Sequence, residues 1–86
     1  MSAPSPDAVC SQVARLLREE RERKGMSMTT LAERAGLSQQ MISYIERELR
    51  NPTLNTLLRV ADALELDAAD VLRRARAMAE ASRHRG

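Results

Sequence analysis

Leu31 to Glu46 reads LAERAGLSQQMISYIE, two short amphipathic segments that meet at Ala35-Gly36-Leu37-Ser38. Gly36 can end the first segment as a helix, because a residue without Cβ takes positive φ at little cost. Ser38, two residues on, offers a hydroxyl that caps the next helix. Together they write a tight helix-turn-helix corner, which presents its second helix outward in a shape suited to a DNA groove.

The chain on either side carries the same punctuation. A first helix is expected from about Asp7 to Lys24, where Val9, Val13, Leu16 and Leu17 recur at helical spacing among Arg and Glu until Gly25 ends it. Ser27 caps the second, Met28 to Ala35, with Leu31, Ala32 and Ala35 facing inward. Ser38 caps the third, Gln39 to Arg47, with Ile42, Ile45 and Leu49 on its core side. Leu49-Arg50-Asn51-Pro52 reads as a loop, since proline biases the residue before it away from helix. Thr53 starts a fourth helix with Leu54, Leu57, Leu58, Ala61 and Leu64 as its apolar face. Asp67 caps a fifth carrying Val71, Leu72, Ala75, Met78 and Ala79. The expected fold is a compact all-α, five-helix domain over residues 8–82, with a flexible arm at 1–7 and a frayed tail at 83–86.

Composition agrees with that class and narrows the function. With 86 residues, 43% hydrophobic and 30% charged, the chain closes one modest core. It has one Tyr and no Phe or Trp, so the core is aliphatic. Fourteen basic against twelve acidic residues leave only +2, too little to imply nucleic acid without a favourable distribution. Cys10 is alone and His84 is the single histidine, so no disulfide, metal site, cofactor site or catalytic constellation is expected. No phosphate-binding glycine loop occurs, and no apolar run of about 18 residues suggests a membrane span. A cytoplasmic, non-enzymatic binding protein is the expectation.

From about Val13 to Leu72 the residues resemble the lambda-repressor-like helix-turn-helix proteins of the Xre or Cro/repressor type. The matching elements are Arg21, Leu31 through Ser38, Ile42-Ser43-Tyr44-Ile45-Glu46-Arg47, Asn51-Pro52-Thr53-Leu54, and Leu57 through Leu64. The resemblance implies five helices, the second and third forming the DNA reader, and sequence-specific double-stranded DNA binding by a homodimeric transcriptional regulator.

The residues of the third helix support this independently. At about 100° per residue, Gln40, Ser43, Tyr44 and Arg47 lie opposite Ile42, Ile45 and Leu49, with Gln39 near the capped end. On an arbitrary protein a polar face of this kind is simply solvated. Here it follows the corner and puts Gln-Gln at the end that enters a major groove, where a glutamine amide can bond adenine twice. Gln39, Gln40, Ser43 and Tyr44 are therefore read as base contacts, although the Tyr44 phenol can equally lie along the backbone. Arg47, Arg50 and Asn51, with Thr29 and Thr30 at the start of the second helix, are read as phosphate contacts.

Two residues depart from the family pattern. Met28 stands where a phosphate-binding Gln is common, and Glu48 stands where a glycine commonly ends the third helix. The second departure leaves open a longer third helix or a different loop. Glu46 lies roughly 80° from the inward centre of its helix, a flank position that suggests pairing. The resemblance supplies Arg21 as the partner.

The Ala/Met stripe of the fifth helix runs about two turns past what a small core requires. It can cover the first helix of its own chain or pack against a second copy. A dimer also suits so small a reader, since two recognition helices reach half-sites roughly 34 Å apart on a palindromic operator. The reading from another class is an antitoxin-like or other interaction module that binds DNA only with a partner protein. The exposed arm and fifth helix are the features that leave it open.

Overall fold

A computed structural model describes residues 3–84 and forms five helices: α1 Pro6–Arg23, α2 Met28–Ala35, α3 Gln39–Glu46, α4 Leu54–Ala63 and α5 Ala68–His84. Met1, Ser2, Arg85 and Gly86, from the expected arm and tail, lie outside the described residues. Among those described, no helix is long and apolar enough to cross a membrane.

Each helix opens on a side-chain oxygen. Ser5, Ser27, Ser38 and Thr53 accept from the backbone N–H three residues ahead, and Asp67 accepts from Ala69 N–H. These bonds satisfy donors that have no partner inside the helix. Ser5 moves the start of α1 ahead of Asp7, to Pro6, whose missing N–H suits the first helical turn. Pro4 is buried, and Ala3 and Pro4 line a groove with Ala8, Gln12 and Ala79.

The first four helices also close alike. A residue with positive φ follows each (Gly25 +64°, Gly36 +70°, Glu48 +60°, Glu65 +59°). The next residue then donates its N–H five residues back, as Met26 to Arg21, Leu37 to Ala32, Leu49 to Tyr44 and Leu66 to Ala61. This doubly bonded left-handed turn leaves few orphan carbonyls and places an apolar side chain just beyond the helix. Met26, Leu37 and Leu66 use that position to pack against the core. α3 accordingly stops at Glu46 despite the absence of glycine, and the loop keeps the left-handed shape with Glu48 in it.

The core joins Val13, Leu16 and Leu17 of α1 to Leu31, Ala32 and Ala35 of α2, Ile42 and Ile45 of α3, Leu57 and Val60 of α4, Leu64 just beyond it, and Val71 and Ala75 of α5. α5 lies chiefly along α1. Its stripe is therefore spent within the chain, with Ala79 buried and Met78 packed on the core. Four leucines expected on inward apolar faces lie outside. Leu49 is 57% exposed, Leu54 68% and Leu58 44%, joined on the surface by Leu72 at 41%. The apolar stripe of α4 is wider than the seam it meets, so Leu57, Val60 and Ala61 take the core and the flanking leucines remain outside.

Candidate nucleic-acid interface

α2 packs on both α3 and α4, so the corner between α2 and α3 rests on a third helix. Ser38 starts α3 with φ −80° and ψ 153°, directing the helix away from the turn. Ile42 and Ile45 are 1% and 2% exposed, anchoring one side of α3 in the core. The opposite side is left to polar residues: Gln39, Gln40 and Arg47 are exposed, and Ser43 and Tyr44 are half-buried.

These side chains are partly organised already. Gln40 Nε2 donates to Tyr44 Oη at 2.6 Å, one helical turn away. The Arg50 guanidinium carbon lies 5.5 Å from the centre of the Tyr44 ring, within cation–π range. The backbone explains that approach, because Leu49 and Arg50 both donate their N–H to the Tyr44 carbonyl and fold the loop back over the helix end. Arg47, Arg50 and Asn51 are exposed at that end. Among the described residues no carboxylate lies within ion-pair distance of Arg47 or Arg50, even though Glu48 is beside them in sequence.

At the start of α2, Thr29 is exposed while Thr30 is tied into the cap. Its N–H donates to Ser27 Oγ, and its hydroxyl accepts from the Ser27 hydroxyl at 3.0 Å. Met28 packs partly against the core, so it contributes apolar contact where an amide would offer a donor. Thr53 serves as the cap of α4.

Arg21 and Glu46 meet beneath this surface. Arg21 Nε donates to Glu46 Oε2 at 2.6 Å and Nη2 to Oε1 at 2.9 Å, a two-pronged pair in which the Glu46 side chain is 3% exposed and that of Arg21 12%. The remaining guanidinium nitrogen donates to the Met26 carbonyl at 2.8 Å. Hydrogen bonding to Glu46 holds the Arg21 guanidinium above its ordinary pKa, against the opposing effect of burial.

Arg59 of α4 was not anticipated from the sequence. Asn55 Oδ1 accepts from its Nε at 2.8 Å, and its Nη1 lies over the corner, 3.1 Å from where a Cβ on Gly36 would stand. A cation there complements the carbonyl end of α2. The Asn55-Arg59 spacing of four was its sequence signal.

Comparison with known proteins gives a consistent picture. A family described as Helix-turn-helix matches residues 17–71. The transcriptional regulator Rv0474 of Mycobacterium tuberculosis is 42% identical over 52 residues, 60% of this chain but only 37% of that protein. Thus the chain spans little more than a third of that relative's length. The HTH-type transcriptional regulator y4dJ of Sinorhizobium fredii is 41% identical over 64 residues, 74% of this chain and 78% of that one. Among solved structures, a variant of the controller protein C.Esp1396I bound to its operator site superposes with a TM-score of 0.72 at 29% identity, covering 79% of this chain and 90% of that one.

Proposed function

The chain belongs to the helix-turn-helix family, and from that membership we propose that it regulates transcription by reading a specific duplex sequence through the major groove with α3. The observation that carries this reading is the outer face of α3, where Gln39, Gln40 and Ser43 stand beside Arg47 and Arg50, while the carboxylate of α3 itself, Glu46, is buried and paired with Arg21. Amides and a hydroxyl suit base edges, and guanidinium groups suit phosphates. Tyr44 joins the base-facing set, while Asn51, Thr29 and Thr30 join Arg47 and Arg50 on the phosphates.

The reader acts as a homodimer on a palindromic operator in the cytoplasm, and by occupying that operator represses. Leu54 and Leu58, one turn apart on α4, and Leu72 on α5 supply the apolar surface that a second copy would cover. The contact thus involves α5 through Leu72, since Met78 and Ala79 are engaged with the chain's own core.

Selection of bound duplexes from a random pool tests both parts. A symmetric consensus with half-sites about one helical turn apart is the expected result. Binding without sequence preference would overturn the reading. Preference that appears only after a second protein is added would favour the partner-dependent alternative.

A further inference from the structure

Resting on the DNA-reading role just proposed, we propose that Tyr44 is a positioning residue, which fixes the carboxamide of Gln40 for one orientation toward a base and holds Arg50 beside it. A free glutamine side chain presents its amide either way round and samples many rotamers. Here Nε2 is committed to the Tyr44 oxygen at 2.6 Å. That bond uses one of two amide hydrogens, so the second N–H and the carbonyl oxygen remain as an adjacent donor and acceptor. Such a pair matches N7 and the N6 amino group of adenine. Because the phenol oxygen accepts from Gln40, its own proton points away from the amide, as a donor for a phosphate oxygen.

The ring performs a second task. Arg50 sits over it at 5.5 Å, and the loop that brings Arg50 there is bonded to the Tyr44 carbonyl through Leu49 and Arg50 N–H groups. One residue thus gathers the amide that distinguishes bases and the cation that meets the backbone. Tyr44 is half-buried, so the protein steadies its side chain before any duplex arrives. Ordering these groups before binding removes part of the entropy loss on complex formation, which favours the correct duplex over near matches.

The experiment separates this role from direct base reading. Tyr44→Phe keeps the ring and removes the oxygen; Tyr44→Leu removes both. Tyr44→Phe is expected to lower discrimination at the base pair read by Gln40 about tenfold, with thermal melting and salt slope unchanged. Tyr44→Leu is expected in addition to flatten the log-log salt slope by about 0.9, the share of one phosphate contact. In a Gln40→Ala background, Tyr44→Phe should then cost no further specificity. In the DNA-free protein, the Gln40 side-chain amide proton resonances should move on Tyr44→Phe.

Additive losses from the two substitutions would overturn the proposal by making Tyr44 an independent reader. Unmoved Gln40 amide resonances, or full discrimination by Tyr44→Phe where the parent discriminates, would overturn it alone. A parent chain that binds duplexes without any preference would overturn the function proposed above as well.

Discussion

Glu46 near the end of α3 and Arg21 near the end of α1 are joined by two hydrogen bonds of 2.6 and 2.9 Å across 25 residues of sequence. The third guanidinium bond, to the Met26 carbonyl, extends the tie to the loop that leads into α2. The angle of the recognition helix is thereby coupled to α1 by charge as well as by packing. Glu46→Ala leaves a mostly buried cation unpaired and should destabilise the fold by about 1–3 kcal/mol, at the upper part of that range given the burial. Urea unfolding followed by helical circular dichroism measures it.

The two left-handed glutamates predict the opposite sign. Glu48 and Glu65 hold φ near +60°, a region that costs an L residue roughly 1–2 kcal/mol. Glu48→Gly should raise stability by about 0.5–1 kcal/mol, since the relief is partly offset by the freedom glycine gains when unfolded. It should also tighten DNA binding at low salt by removing a carboxylate beside Arg47 and Arg50. Gly36→Ala is the counterpart, expected to destabilise because φ +70° strains any residue with a Cβ, while Arg59 Nη1, the far end of an exposed side chain, can move aside. Paired melting curves decide the two stability effects, and duplex titration at low salt decides the binding effect.

Base and backbone contacts separate in binding measurements. Gln40→Ala should relax preference at one base position per half-site by roughly 1–3 kcal/mol. Arg50→Ala should weaken all duplexes alike and flatten the salt slope by about 0.9. Titrations of consensus and scrambled duplexes at several salt concentrations give both quantities.

The exposed leucines predict an effect on assembly without an effect on folding. Replacing Leu54 and Leu58 together by Ser should leave the melting of the monomer within about 0.5 kcal/mol, because neither is in the core. The same change should shift sedimentation toward monomer and reduce affinity for a two-half-site operator far more than for a single half-site.

Acid titration has a defined direction at Glu20. Hydrogen bonding from Arg23, followed by the charges of Arg23 and Lys24, holds its carboxyl below the ordinary 4.5. The contribution of that group to stability is present above 4.5 and is lost as pH falls through the lower folded value. Its carboxyl carbon should titrate below 4.5 by NMR, and Arg23→Ala should move the midpoint upward.

The helix starts were legible because serine, threonine and aspartate at Ser27, Ser38, Thr53 and Asp67 have few other reasons to precede apolar periodic segments. Gly25 and Gly36 marked two ends for an equally local reason. Glu48 and Glu65 mark two more with the same backbone, and this was hidden because glutamate carries no preference for positive φ. Leu49, Leu54 and Leu58 were assigned inward because periodicity gives the centre of an apolar stripe and not the width that neighbouring helices cover. Arg59 over Gly36 needed the placement of α4, a relation between segments 23 residues apart that spacing within one helix does not contain.

Tyr44 has one more consequence, which is optical. It is the sole fluorophore of a chain with no tryptophan or phenylalanine, and it lies on the surface assigned to DNA. Ultraviolet emission from the native, unlabelled protein therefore reports on that single spot. Quenching upon titration with duplex would trace occupancy of the groove directly, free of the averaging that complicates proteins with several chromophores.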